Sequence, residues 1–124
     1  MILGLGMDLV ELSRIESSIN KFGENFLTRI LTKEELEYLT PQRQLTFVAG
    51  RFAAKEACVK ALGTGFAEGV GFQDISVTNN GAGAPVIKVS GRAKEVADAL
   101  GAVSLHITIT HTEKTAAAVV ILEK

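Results

Sequence analysis

Two carboxylates and one amine in the sequence have the types and positions that phosphate chemistry needs. Asp8 follows an Ile/Leu/Val-rich run with interspersed glycines, which predicts a buried strand that carries the carboxylate at its C-terminal end. Glu56 and Lys60 are four residues apart in a predicted helix, so their side chains share one helix face. Two hard carboxylate oxygens with open water positions suit Mg²⁺ that is held mainly through the phosphates of a substrate. Asp8 and Glu56 are therefore the candidate magnesium ligands.

A structural interpretation of the same helix face competes with this one. Glu56 precedes Lys60 in the orientation of a favourable surface ion pair, worth about 0.2–0.5 kcal/mol. Spacing alone favours that ion pair over a site. The choice depends on whether Asp8 converges on Glu56, which the sequence does not show.

Cations and a glycine-rich turn are the candidate phosphate contacts. The cations that could donate charge-assisted hydrogen bonds are Arg43, Arg51, Lys60 and His111. The turn Gly63-Thr64-Gly65 could bring backbone N–H groups close to a phosphate, although it follows a helix and is not a P-loop. For His111, a polar position in a hairpin turn is the alternative. For His106, alternation with Thr108 along a strand favours a structural role more strongly.

The elements that must position these residues follow from periodicity and capping signals. Strands are predicted over residues 2–10, 75–78, 86–89, 105–110 and 116–122. Helices are predicted to begin near Ser13, Thr32, Pro41 and Gly91, with capping boxes at Ser13/Glu16 and Thr32/Glu35 and a cap at Ser90. The longest helix ends at Gly63 and has one apolar stripe, formed by Leu45, Val48, Phe52, Val59 and Leu62.

Helices at unequal spacing and strands joined by tight turns predict an α+β fold, with a mainly antiparallel sheet packed on the long helix. The 124 residues carry no linker-like stretch, so residues 1–124 are interpreted as a single domain. The chain is 47% hydrophobic, apolar for its size, which favours an oligomer.

Charge and composition exclude several function classes. The formal net charge is −1, so the sequence does not predict nucleic-acid or anionic-membrane binding. The apolar N-terminus lacks a basic region and no apolar run of about 18 residues occurs, so we expect neither a signal peptide nor a membrane span. Cys58 is the only cysteine, which suits a reducing compartment; we expect a cytoplasmic protein. Nucleophile-elbow, zincin and dinucleotide motifs are absent, which leaves a magnesium-dependent, phosphate-handling domain.

Three blocks taken together resemble the holo-(acyl-carrier-protein) synthase family of 4'-phosphopantetheinyl transferases. The blocks are Gly4-Leu5-Gly6-Met7-Asp8, Gly50-Arg51-Phe52-Ala53-Ala54-Lys55-Glu56-Ala57 with Lys60-Ala61, and Ile109-Thr110-His111-Thr112. The likeness runs the whole length of the chain. It implies transfer of 4'-phosphopantetheine from coenzyme A to a serine of apo acyl carrier protein, with Mg²⁺, yielding holo acyl carrier protein and 3',5'-ADP for fatty acid biosynthesis.

The resemblance also implies roles for individual residues. Asp8 and Glu56 match the metal ligands, and Lys60 and the Gly63-Thr64-Gly65 turn match contacts to coenzyme A. Cofactor contacts to the 3'-phosphate are implied for Arg43, Arg51 and His111, with His111 and Thr112 supplied by a neighbouring subunit of a homotrimer. Arg14 and the helix after it resemble the surface that docks acyl carrier protein. Two positions depart from the family pattern, which often has Ser at Thr108 and a basic residue at Ala84.

The implied mechanism makes Asp8, Glu56 and Lys60 catalytic. Glu56 accepts the proton of the attacking serine hydroxyl, directly or through a metal-associated water, and Lys60 balances charge on the departing phosphate. Two alternatives from other classes are a non-catalytic oligomer that binds coenzyme A and an interaction module that binds neither magnesium nor coenzyme A.

Overall fold

Ten helices and strands make up the structure, a computed structural model that describes residues 1–124. In chain order they are β1 (Ile2–Glu11), α1 (Leu12–Phe22), α2 (Glu24–Ile30), α3 (Lys33–Leu36), α4 (Gln44–Leu62), β2 (Ile75–Asn79), β3 (Pro85–Val89), α5 (Gly91–Leu100), β4 (Ser104–His111) and β5 (Thr115–Glu123). Short 3₁₀ turns at Pro41–Arg43 and Phe72–Asp74 precede α4 and β2. No helix combines the length and the apolar character needed to cross a bilayer.

The strands form two antiparallel sheets, which confirms the predicted α+β class. In the larger sheet β5 lies between β1 and β4, and in the smaller one β2 pairs with β3. Asp8 of β1 lies opposite Ala118 of β5, which lies opposite Ile109 of β4. Side chains alternate along β1, so Gly6 and Val10 are buried against α4 while Asp8 on the same face is half-buried.

Helix α4 is buried on nearly all sides, so the prediction of a single apolar stripe is wrong. Of the predicted stripe residues, Val48, Phe52, Val59 and Leu62 are buried, but residues on the other faces are buried as well. Several of these are alanines, whose small side chains let strands and helices approach from several directions. The functional side chains of α4 therefore project through gaps between its neighbours rather than from an open polar face.

Two glycines of β1 allow the strand to lie directly on α4. A Cβ atom added to Gly6 would sit 1.9 Å from the Ala57 carbonyl oxygen, and one added to Gly4 would sit 2.1 Å from that of Ala61. No other residue fits at such distances. This close approach holds Asp8 beside the part of α4 that carries Glu56 and Lys60.

The observed helices and strands differ from the predicted ones mostly at the points where helices begin. Helix α1 begins directly after β1, without a Ser13/Glu16 capping box; its Leu12 N–H donates to the Lys114 carbonyl instead, at 2.8 Å. The Ser90 side chain does not cap α5, and the Asp74 carboxylate accepts from the Ala93 N–H at 3.4 Å. The Thr32/Glu35 capping box is confirmed. Helix α2 was not predicted.

Candidate active site

The first group of predicted site residues is brought together by the contact of β1 with α4. The Lys60 Nζ atom donates to Asp8 Oδ1 at 3.1 Å and to the Met7 carbonyl at 3.0 Å. Lys60 thus pairs with Asp8 across the strand–helix contact and forms no ion pair with Glu56. The surface ion pair proposed as the structural alternative is not formed.

Glu56 is a half-buried carboxylate that makes no hydrogen bond or ion pair to any other group of the protein. Burial raises the pKa of its carboxyl above the usual value, and the negative charge of Asp8 raises it further, while Lys60 and Arg14 oppose the shift. The contribution of Asp8 shows that the two carboxylates lie within electrostatic range of each other. The sequence alone did not establish this convergence.

The oxygen pair formed by Asp8 and Glu56 fits a hard divalent cation. Both donors are carboxylates, which Mg²⁺ prefers, and a positive ion between them would remove the repulsion that raises the Glu56 pKa. No group of three or more His, Cys, Asp or Glu side chains is assembled anywhere in the structure. Asp8 and Glu56, the two candidate ligands, match the one or two carboxylates with which Mg²⁺ is commonly held when phosphate and water complete its shell.

A second group of predicted residues lines a cavity of about 160 Å³ between α4, β4 and the β2–β3 hairpin. Its polar walls include Arg43, Arg51, Asn79 and His111. Arg43, Arg51 and His111, the three predicted contacts of the 3'-phosphate, thus face one volume. All three line this cavity within one chain, and the supply of His111 and Thr112 to the coenzyme A site of a neighbouring subunit stays a prediction.

Arg51 is the most constrained cation of this cavity, with only 7% of its surface exposed. Its Nε donates to the Val77 carbonyl and its Nη2 to Asn79 Oδ1, both at 3.2 Å. The guanidinium also stacks over the Phe47 ring, 4.1 Å from its centroid. Burial lowers the pKa of Arg51, and no carboxylate lies within ion-pair distance of it. A buried cation without a carboxylate partner is suited to receive an anion.

The glycine-rich turn after α4 has its N–H groups already engaged. Gly63, in the left-handed region at φ 83°, ends the helix, and the N–H groups of Gly63, Thr64 and Gly65 all donate to the Val59 carbonyl at 3.1–3.2 Å. They point back to the negative end of a helix, so they do not form the phosphate cradle that we predicted. A contact of this turn to coenzyme A through other atoms stays a prediction.

The remaining predicted positions lie at the edges of these two groups. Thr112 closes the turn between β4 and β5, where its Oγ1 accepts from the Thr115 N–H at 3.1 Å. Thr108 lies on the sheet face away from α4, so its departure from the family pattern is remote from the cavity. Ala84 stands between Gly83 and Pro85, which both line the cavity.

Arg14 lies at the margin of the carboxylate group. Its guanidinium is 5.8 Å from the centroid of the Phe52 ring, one helical turn from Glu56, and its charge lowers the pKa of Glu56. Arg14 makes no ion pair. The helix predicted to dock a partner thus carries a cation without an ion-pair partner at the margin of the two carboxylates.

Sequence reasoning missed Phe47 and Asn79, which hold the Arg51 guanidinium, and it missed the buried pair of Glu35 and Lys55. The Thr32/Glu35 capping box was the available signal for Glu35, but it did not show that the carboxylate turns inward.

Comparisons with known proteins show the family of this chain. The sequence profile of the 4'-phosphopantetheinyl transferase superfamily matches residues 4–120. This chain belongs to that superfamily. A holo-(acyl-carrier-protein) synthase of Maridesulfovibrio salexigens is 52% identical over 124 residues, which cover all of both chains. The resemblance inferred from the three sequence blocks is confirmed.

Solved structures of the superfamily share the fold. The holo-(acyl-carrier-protein) synthase of Neisseria meningitidis aligns over all of both chains with a TM-score of 0.90 and 38% identity. The Bacillus anthracis enzyme, in complex with CoA (3',5'-ADP), has a TM-score of 0.81 and 41% identity, and the alignment covers 99% of this chain and 97% of that one. The predicted fold class and the predicted enzyme class, a phosphopantetheinyl transferase, are both confirmed.

Proposed function

We propose that this transferase moves the 4'-phosphopantetheine group from coenzyme A to a serine hydroxyl of apo acyl carrier protein, releasing 3',5'-ADP. The observation that carries the proposal is the half-buried Glu56 carboxylate, left without a partner beside Asp8 and Lys60. The anion-receptive cavity of Arg43, Arg51 and His111 supports it, because coenzyme A presents a 3'-phosphate and a pyrophosphate that need separate cationic contacts. Relatives named for this reaction support it further.

Asp8 and Glu56 would hold Mg²⁺ in this reaction. When bound, the ion would neutralise the negative charge of the pyrophosphate. That charge is the main barrier to attack by a hydroxyl. Lys60 and the position of Asp8 on β1 hold the Asp8 side chain in place. Its carboxylate is therefore oriented before the ligand arrives.

The chain's own groups account for the proton and the leaving group. The serine oxygen bonds to the β-phosphorus, the one attached to pantetheine, and the bond from that phosphorus to the bridging oxygen breaks. Glu56 accepts the serine proton, directly or through a water. Lys60, whose ammonium is half-exposed near Asp8, balances the charge that develops on departing 3',5'-ADP.

Assembly as a homotrimer is part of the proposal, supported by an exposed apolar surface. The face of the larger sheet turned away from α4, which we name the outer sheet face, presents Leu5, Met7 and Leu9 from β1, with 59–65% of each residue exposed. Val119 and Ile121 of β5 continue it. An apolar sheet face of this kind marks a protein–protein interface. Active sites shared between subunits would then join the Asp8/Glu56 group of one chain to the Arg43/Arg51/His111 cavity of the next.

Docking of acyl carrier protein is assigned to α1 and α2. The exposed cations Arg14, Lys21 and Arg29 and the exposed ring of Phe22 lie on these two helices, and Phe22 and Arg29 share one groove. Such a surface suits an acidic helix with apolar residues of its own. A role in fatty acid biosynthesis in the cytoplasm goes with this partner.

The test is the intact mass of apo acyl carrier protein after incubation with this protein, coenzyme A and Mg²⁺. We expect a gain of one phosphopantetheine group, lost when EDTA replaces the free metal. Coenzyme A binding without any mass gain across several carrier proteins would contradict the transfer and favour a non-catalytic binder of coenzyme A.

A further inference from the structure

The buried ion pair of Glu35 and Lys55 takes no part in the proposed reaction, yet it is connected to the anion cavity. Both side chains are completely buried, and Lys55 Nζ lies 2.6 Å from Glu35 Oε1. Ammonium and carboxylate groups are almost never buried to this extent unless all their hydrogen bonds are made. The contacts of each charge therefore show what the pair fixes in place.

Lys55 uses all three of its N–H donors on parts of the chain that are far apart in sequence. Besides Glu35, Nζ donates to the Ile30 carbonyl at the end of α2, at 2.6 Å, and to the Phe72 carbonyl before β2, at 3.2 Å. The ammonium thus ties α2, α3 and the entry to β2 to the middle of α4.

Glu35 connects this buried pair to one residue of β2 by a hydrogen bond. Its Oε1 also accepts from the Thr32 N–H at 2.8 Å, and its Oε2 accepts from the Val77 N–H at 2.7 Å. The carbonyl of the same Val77 accepts from Arg51 Nε at 3.2 Å. Val77 therefore gives its N–H to the carboxylate and its C=O to the guanidinium that faces the cavity.

We propose that Glu35, held by Lys55, is a positioning residue for Arg51. Through the Val77 peptide groups it sets the direction of the Arg51 guanidinium, and with it the affinity of the cavity for a phosphate monoester. The inference rests on the proposed function, which assigns this cavity to the 3'-phosphate of coenzyme A.

The test compares the binding of coenzyme A with that of 3'-dephospho-coenzyme A, measured by calorimetry on the full chain. We divide the dissociation constant of 3'-dephospho-coenzyme A by that of coenzyme A. This ratio measures the contribution of the 3'-phosphate alone, because general damage to the fold affects both ligands alike. We expect Arg51→Ala to lose most of the preference for coenzyme A. The double variant Glu35→Gln/Lys55→Met, which removes both buried charges together, should lower the ratio about tenfold, the effect of one weakened charge-assisted hydrogen bond.

Glu35→Asp serves as the variant that keeps both charges and the fold. It retains a partner for Lys55 but withdraws the carboxylate from Val77, so we expect a decrease of about threefold in the same ratio. If the double variant does not fold, as judged by circular dichroism, Glu35→Asp alone decides. The control is Lys94→Met/Asp98→Asn, which removes an exposed ion pair of α5 and should leave the ratio unchanged.

Two results would overturn the inference, and they are distinguishable. An unchanged ratio in folded Glu35 variants, with the preference lost in Arg51→Ala, would contradict the positioning role and leave the proposed function intact. Equal affinity of the unsubstituted protein for the two ligands would contradict the assignment of the cavity to the 3'-phosphate, and the inference with it.

Discussion

Lys55 and Glu56 are consecutive residues of α4 and meet opposite surroundings. The Lys55 ammonium is fully buried and donates each of its N–H groups to an acceptor, including the carboxylate of Glu35. The Glu56 carboxylate is half-exposed, accepts no hydrogen bond from the protein and faces the like charge of Asp8. Both are charged groups taken partly or wholly out of water, but only one has its charge satisfied by the protein.

The difference separates a charge that organises the fold from a charge kept for a ligand. A satisfied buried pair specifies which segments meet and offers nothing to bind. A carboxylate left without donors beside another carboxylate is unfavourable until a cation or a proton arrives. The predictions below test whether this division holds.

Removing the charge of Lys55 is expected to have the largest effect on stability. Lys55→Met leaves Glu35 buried and unpaired, which should lower the free energy of unfolding by about 3–5 kcal/mol in urea denaturation. Lys60→Met, at a half-exposed lysine of the same helix, should lower it by less than about 1 kcal/mol. Equal losses in the two variants would show that Lys55 is not a structural charge.

Removing the charge of Glu56 is expected to affect turnover instead of folding. Glu56→Gln should lower the rate of phosphopantetheine transfer at least about 100-fold, because the proton acceptor and a metal ligand are lost together. Intact-mass kinetics with acyl carrier protein measure this rate. Glu34→Gln, at an exposed position, should be indistinguishable from the unsubstituted protein. Near-normal turnover of Glu56→Gln would remove Glu56 from the mechanism.

Separating β1 from α4 should disturb the carboxylate side of the helix. Gly6→Ala places a Cβ 1.9 Å from the Ala57 oxygen, and we expect a loss of about 1–3 kcal/mol in stability together with lower activity. Gly81→Ala is the matched control, because nothing lies within 4 Å of its added Cβ. A stable and fully active Gly6→Ala variant would show that the close contact does not position Asp8.

The smallest effect concerns the pH dependence of stability without divalent metal. The pKa of Glu56 is raised above its ordinary value of 4.5, so the folded protein binds more protons than the unfolded chain between that value and the raised one. Stability therefore increases as the pH falls through this window. Glu56→Gln should melt slightly higher than the unsubstituted protein at neutral pH, and this difference should shrink toward pH 4.5. A difference that grows on acidification would contradict the direction of the shift.

Local signals predicted much of the fold, and tertiary contacts account for what they missed. The β-hairpins and the long helix are visible in alternation, periodicity and glycine stops. Helix α2 was missed because one residue, Gly23 at φ 54°, both ends α1 and begins α2. A glycine at this point indicates the end of a helix and gives no sign that another helix follows. The burial of α4 on all sides depends on the alanines being approached from several directions, which no periodicity shows.

The sequence predicted which residues belong to the site. Their arrangement depends on contacts between segments that are far apart in the sequence. Asp8, Glu56 and Lys60 were named from spacing and family resemblance, but the pairing of Lys60 with Asp8 follows from the glycines of β1. The anion cavity follows from Asn79 and Val77, which orient Arg51 from a strand far along the chain. Residues of this kind carry no local signal of their role.

The alternation of β1 has a consequence for how the gene tolerates change. Asp8 faces α4, while Leu9 and its apolar neighbours Leu5 and Met7 face outward. Because side chains of a strand alternate, deleting one codon ahead of Asp8 would exchange the two sets, turning the carboxylate outward and leucine toward the helix. Point substitutions at either set affect one surface, whereas a single-codon insertion or deletion would remove the proposed metal ligand and the proposed assembly surface in one step.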